Sequence, residues 1–116
     1  MSWVNESAMQ LAPRSGTGYP RSPQLIADAA GATQANATAL AIGAMATLQI
    51  GAQAVRATFY KAAAGGVVGA TDMLFAANTA VSWLVEDETC FVYVAEPGGA
   101  AYEAWVWTSS PGMRSA

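Results

Sequence analysis

The clearest periodic signal lies toward the C-terminus. Residues 80–85 (AVSWLV), 89–95 (TCFVYVA) and 102–108 (YEAWVWT) are short runs rich in β-branched and aromatic side chains, as strands are. Residues 54–61 (AVRATFYK) share that character, and 48–50 and 73–75 are shorter candidates. They are separated by AAAGGVVGATD, AANT, EDE, EPGGA and SSPG, all with turn chemistry. Strands this short and this closely spaced predict a mainly β protein, a small antiparallel β-sandwich or barrel over about residues 48–110. Alternation also assigns faces. Val81, Trp83 and Val85 oppose Ser82, Leu84 and Glu86; Phe91 and Tyr93 oppose Val92 and Val94; Tyr102, Ala104 and Val106 oppose Glu103, Trp105 and Trp107. The last two runs are apolar on both sides, so a second sheet face needs a cover.

The first half of the chain is less regular. Residues 1–24 contain LAPRSGTGYPRSPQ, whose prolines and glycines disfavour helix and central strand. They predict an extended arm that becomes ordered on a partner, since Trp3, Val4, Met9, Leu11 and Tyr19 are costly to leave in water. Residues 25–47 form an alanine-rich segment with two competing readings. Ser22 before Pro23 suits a helix start, and Ile26, Thr33, Leu40 and Thr47 recur every seven residues with Ala29, Asn36, Gly43 and Ile50 between them, a seam in which a buried Asn36 sets register. From Leu40 to Ala54, however, the even positions are all apolar, the period-two signature of a strand. The reading adopted is helix to about Ala46 and strand from about Leu48, leaving residues 25–47 as helix or extended chain. The β domain is then 48–116.

Composition narrows the function. The 116 residues are 53% hydrophobic and only 11% charged, against about 25% charged in ordinary globular chains. A small domain has much surface to cover, so so few charges predict that part of it faces other copies or a larger partner. Net charge is −3 and the isoelectric point is about 4.6. The basic residues Arg14, Arg21, Arg56, Lys61 and Arg114 are scattered, which argues against nucleic-acid binding. The stretch 35–55 is interrupted by Asn36, Thr38, Thr47, Gln49 and Gln53 and is not read as a membrane span. MSWVNESAMQ lacks the basic and apolar regions of a signal peptide.

Candidate chemistry is sparse. The chain has no histidine, hence no Ser-His or Cys-His pair. Cys90, the single cysteine, sits in an apolar run and reads as a small buried hydrophobe. Glu86-Asp87-Glu88 reads as a solvated hairpin turn rather than a calcium loop, because three consecutive residues do not converge on one ion. Nothing brings Glu86, Glu96 and Glu103 together as a glycosidase pair. GGVVG at 65–69 lacks the Lys-Ser/Thr of a phosphate loop. Tyr93, Tyr102, Trp105 and Trp107 are a candidate aromatic platform for a sugar, weighed against the commoner role of such rings in cores and interfaces. No catalytic, cofactor or metal site is expected. The interface candidates are Trp3, Tyr19, Leu40, Trp83, Trp105 and Trp107.

A Pro/Gly-rich arm, a TQANATALA-type alanine-rich middle and a small β domain ending in an aromatic strand together resemble tailed-bacteriophage virion proteins. The pattern is similar to the small capsid decoration (cement) and head-fibre proteins. The resemblance implies a β-rich core, a homotrimer and an N-terminal arm lying on the capsid shell. It carries over no site residue. The expectation is therefore a non-enzymatic structural virion protein that decorates or cements a bacteriophage capsid through homo-oligomeric contacts and contacts with the major capsid protein shell. The alternatives are a carbohydrate-binding or adhesin-like β module, with a glycan partner, and a phage tail or neck connector.

Overall fold

A computed structural model describes residues 21–109. Those residues form eight strands: β1 Arg21–Asp28, β2 Gln34–Ala35, β3 Met45–Ile50, β4 Val55–Tyr60, β5 Met73–Phe75, β6 Ala80–Leu84, β7 Phe91–Ala95 and β8 Tyr102–Ser109. Sheet one has the order β1-β8-β3-β6 and sheet two the order β2-β7-β4-β5. Every pairing is antiparallel.

The connectivity has a simple logic. The first strand pairs with the last, the second with the seventh, the third with the sixth and the fourth with the fifth. The chain is one long antiparallel ribbon folded over on itself, and rolling it up adds the pairs β3–β8 and β4–β7. This is the strand arrangement of a jelly roll, a two-sheet sandwich. Only β4 and β5 are consecutive strands of the same sheet. The AANT and EPGGA segments, with their turn chemistry, and EDE, which read as a hairpin turn, all carry the chain from one sheet to the other. Local turn chemistry survives the change of role. Thr89 closes the acidic turn, donating its N–H to the Glu86 carbonyl at 3.1 Å and accepting the Glu86 N–H on its hydroxyl at 3.0 Å.

The core lies between the sheets. Ile26 comes from β1, Leu48 and Ile50 from β3, Val55 from β4, Val92 and Val94 from β7, and Tyr102, Ala104 and Val106 from β8, all buried. Each is an inward position of an alternating strand. The strand readings at 48–50, 54–61, 73–75, 80–85, 89–95 and 102–108 all correspond to strands of the fold.

The helix reading for the alanine-rich segment does not hold, and the extended alternative does. Among the described residues there is no helix, so none that is long and apolar enough to cross a membrane. The described strands start with Arg21, inside the stretch read as an arm, and β1, β2 and half of β3 precede residue 48. Alanine's helical advantage is only tenths of a kcal/mol per residue, and Gly31 and Gly43 adopt φ of +77° and +89°, which break a helix. Burying Ile26, Leu40, Leu48 and Ile50 between sheets outweighs that propensity. Pro23 is accommodated because β1 is an edge strand with a bulge between Arg21 and Gln24. The seven-residue seam does not form, yet its Asn36 is buried. Asn36 follows the end of β2, and its Oδ1 accepts the buried Val92 N–H at 2.8 Å while its Nδ2 donates to the Thr38 carbonyl at 2.7 Å. The side chain thereby extends the short β2–β7 ladder.

Leaving the buried Val92 N–H without an acceptor costs its desolvation, so Asn36→Ala is expected to lower urea-unfolding stability by about 2–3 kcal/mol. Gln24→Ala, which removes an exposed pair of bonds to Thr38, is expected to cost about 1 kcal/mol or less. The reverse ranking would remove Asn36 from its place in the ladder.

Candidate functional site

The two sheets treat their outer faces differently. On sheet two, Phe91 and Tyr93 point away from the core and form a second cluster with Cys90, Ala35 and Val68. The β4–β5 connection, residues 61–72, lies over this cluster. Tyr93 donates its hydroxyl to the Ala62 carbonyl at 2.8 Å, and Tyr60 meets the Tyr93 ring edge-on at 5.4 Å. Gly66 sits so close that an added Cβ would lie 2.6 Å from Tyr93 ring carbons, so glycine is required there for the backbone to approach. Arg56 clips the far end of the connection through a 2.7 Å bond from Nη1 to the Asp72 carbonyl. GGVVG is thus a lid over aromatic rings. It explains why all five residues of β7 are buried and why Cys90 is a buried free thiol.

No described residue lies over the outer face of sheet one in the same way. Trp105 stands between its cross-strand partners Leu25 and Gln49. Trp107 lies opposite Thr47, and Met45 opposite Leu84. These side chains alternate with the buried Ile26, Ala104, Val106, Ala46 and Leu48, so all of them point outward. Leu25 and Leu84 are 54% and 48% exposed; Met45, Trp105 and Trp107 are half-buried. The polar members are tied down: Thr47 and Ser82 hydroxyls meet at 2.8 Å, and Gln49 donates to the Thr79 carbonyl at 3.1 Å. The face is an apolar band of two indoles, two leucines and a methionine.

An open cleft of about 460 Å³ adjoins this band at the Glu103 end, lined by Asp28, Gln53, Tyr102, Glu103 and small alanines. Its polar groups are largely committed to structure. Asp28 accepts the Ala30 N–H at 2.7 Å and the Gln34 side-chain amide at 2.9 Å, and these bonds, the Ala30 one first, hold its carboxyl below the usual range. Tyr102 points inward, with its hydroxyl 2.6 Å from the Ala32 carbonyl and 2.9 Å from that of Val94. Burial, and secondarily the Asp28 charge, push its phenol up to about 12. Glu96 accepts the Ala100 N–H at 2.8 Å and the Gln53 amide at 3.2 Å. The carboxylates Glu86, Glu96 and Glu103 therefore sit in a turn, in a second turn and on an outer sheet face, with no shared cleft.

The six interface candidates separate. Trp3 and Tyr19 lie outside the described residues. Leu40 is buried in the core. Trp83 faces inward, packs against that core and meets Phe59 edge-on at 4.9 Å. Trp105 and Trp107 alone among the candidates share an outer face. The four-ring platform does not assemble, because Tyr102 is in the core and Tyr93 lies under the lid of the other sheet. Sequence alternation found the two tryptophans; it missed their neighbours Leu25, in a segment read as a helix start, and Met45, in the stretch where the helix and strand readings competed. Among the described residues, no group of side chains has metal-ligand geometry. Comparison of the chain with protein-family models, with curated proteins and with solved structures gives no match. The class is therefore set by strand order and surface: a jelly-roll sandwich with one sheet face self-covered and one apolar face open.

Gly66→Ala is expected to lift the lid. It should cost about 1–3 kcal/mol of stability and speed the reaction of Cys90 with a thiol reagent; unchanged labelling would mean that residues 61–72 do not shield it. The Tyr102 shift has a sign. An unfolded tyrosine loses its proton near pH 10, before the folded one does, so the stability tied to Tyr102 is present below about pH 10 and is lost as pH rises from there toward 12. The fall in urea midpoint between pH 8 and 11 is expected to be smaller in Tyr102→Phe than in the parent; equal falls would contradict the assignment.

Proposed function

We propose that this chain is a non-enzymatic structural protein of a tailed-bacteriophage particle, a homotrimer that decorates or cements the capsid shell and docks through the outer face of sheet one. The observation that supports this reading is the open band of Leu25, Met45, Leu84, Trp105 and Trp107. Apolar patches of this kind on soluble domains are commonly contact sites, and tryptophan is enriched among the residues that dominate interfaces. Four strands of about six residues span roughly 20 by 20 Å, less than the ~800 Å² per partner of a standard interface. A single copy would bind weakly, and a trimer presenting three such faces to one shell would gain through effective concentration. Jelly rolls serve in viral capsids and in lectins alike, so the fold supports the virion reading by analogy only. The non-enzymatic reading is supported by a sequence without histidine, by the Asp28 and Glu96 carboxylates being bonded within turns, and by the absence of a shared cleft for Glu86, Glu96 and Glu103.

One observation favours a second reading, a carbohydrate-binding module: Trp105 and Trp107 project from one strand on the same open face, beside a polar cleft. The two readings separate in one experiment. Purified shells lacking the protein are incubated with the full chain and with Leu84→Asp and Trp105→Ala variants. Losing a central tryptophan anchor is expected to cost about 2 kcal/mol, roughly 30-fold in affinity, with unfolding midpoints retained for Leu84→Asp. Saturable attachment that both variants weaken supports docking by this face. No attachment of the parent chain, together with glycan-array binding that Trp105→Ala abolishes, would transfer the assignment to the sugar module.

A further inference from the structure

We infer that β6 is a pairing edge for the β6 of a second copy. Two chains join antiparallel about a two-fold axis at Ser82, and their two four-stranded sheets run into one. The inference goes beyond the docking reading and does not rest on it. Three observations carry it.

The first is which backbone groups β6 leaves open. β6 ends sheet one and pairs only with β3. Along that ladder the Val85 N–H donates to the Ala44 carbonyl at 2.9 Å, and the Ile50 N–H donates to the Thr79 carbonyl at 2.8 Å. Bonded and open positions alternate along an antiparallel strand, so the odd-numbered residues of β6 turn their backbone groups toward β3. The N–H and C=O groups of Ala80, Ser82 and Leu84 point away from it, and no described residue pairs with them. All three residues are exposed. The Ser82 hydroxyl is already held by Thr47, so the backbone is what this edge offers. Three N–H and three C=O groups in a row call for another strand.

The second is that this edge lacks the guards of the others. β1, at the far side of sheet one, carries Pro23 and a bulge. In sheet two the edge strands β2 and β5 are two and three residues long. Very short strands, prolines and bulges keep sheet edges from pairing with one another. β6 has five residues, with no proline, no charge and no break in register.

The third is that AVSWL fits its own reverse. With the axis at Ser82, that residue lies opposite its own copy, and Ala80 lies opposite Leu84 at both ends. This register pairs all three open residues, and any other leaves at least one of them without a partner. Leu84, 48% exposed, then lies beside an alanine of the second copy, large against small. Antiparallel order also sets the two acidic Glu86-Asp87-Glu88 turns at opposite ends of the paired strands, whereas parallel order would set them side by side. The contact is isologous, so it joins copies in pairs, and the three-fold contacts of the proposed trimer use another surface.

Hydrogen exchange and sedimentation test the pairing on the full chain, with no shell present. Raising the protein concentration is expected to slow exchange at the amides of Ala80, Ser82 and Leu84, in step with the growth of a dimer in sedimentation. Ser82→Lys sets two like charges opposite each other on the axis and is expected to raise the dimer dissociation constant at least about five-fold. Ala80→Pro removes an N–H that faces away from β3, at the first residue of an edge strand, where proline is tolerated. It is expected to weaken the dimer as well. Two variants are used so that one that disturbs folding, visible in the spectrum of residues 21–109, leaves the other to decide. Exchange at the three amides that is the same at every concentration would overturn the inference. So would a dimer or trimer whose concentration-dependent protection falls on β1 or β5 and leaves β6 unchanged, or a dimer that the folded variants leave equally tight. Shell attachment is a separate measurement: failure of the edge pairing leaves the docking reading standing, and failure of attachment leaves the edge pairing standing.

Discussion

The structure depends on the pairing of β8 with both β1 and β3. These contacts join residues some eighty positions apart in the first case, and they place the last described strand inside sheet one rather than at its edge. Tyr102, Ala104 and Val106 fill the core from this strand, while Trp105 and Trp107 make its outer face. Until β8 docks, β1 has no partner in its sheet. Such non-local pairing makes assembly slow and cooperative, because loop closure comes before the contacts that reward it.

Rolling a ribbon into two sheets leaves each sheet with an outer face, and the sequence handles the two unequally. Sheet two is closed by its own β4–β5 connection, where Gly66 lets the backbone settle on the Tyr93 ring. That lid converts aromatic residues that would otherwise be exposed into a second small core around Cys90 and Phe91. Sheet one keeps its apolar band. The low charge of the chain follows in part from the lid, which lets an apolar outer face stay dry without charged cover. Exposed apolar side chains remain on sheet one at Leu25 and Leu84, and also elsewhere at Ile42, Val67, Met73 and Leu74.

The polar groups point the same way. Asn36, Asp28, Glu96 and Tyr102 each satisfy backbone or amide groups where the chain passes between sheets. They are fasteners for crossings, a need created by a topology in which almost every connection changes sheet.

Several features were legible in the sequence because they are local. β-branched and aromatic runs bounded by turn residues marked the strands at 54–61, 80–85, 89–95 and 102–108, and alternation showed which way Trp83, Trp105 and Trp107 point relative to their neighbours. Turn residues marked the breaks correctly. The first half of the chain was ambiguous because alanine is compatible with helix and strand, and the burial that decided the outcome comes from β8, about eighty residues away. The same distance explains Leu25 and Met45: they join the open face only because β1 and β3 flank the tryptophan strand. Turn chemistry says that the chain reverses, but not whether it returns to the same sheet, so the crossings and the jelly-roll order required the tertiary structure. The cover on sheet two likewise depended on one glycine meeting one tyrosine ring, a contact between residues that sequence periodicity does not relate.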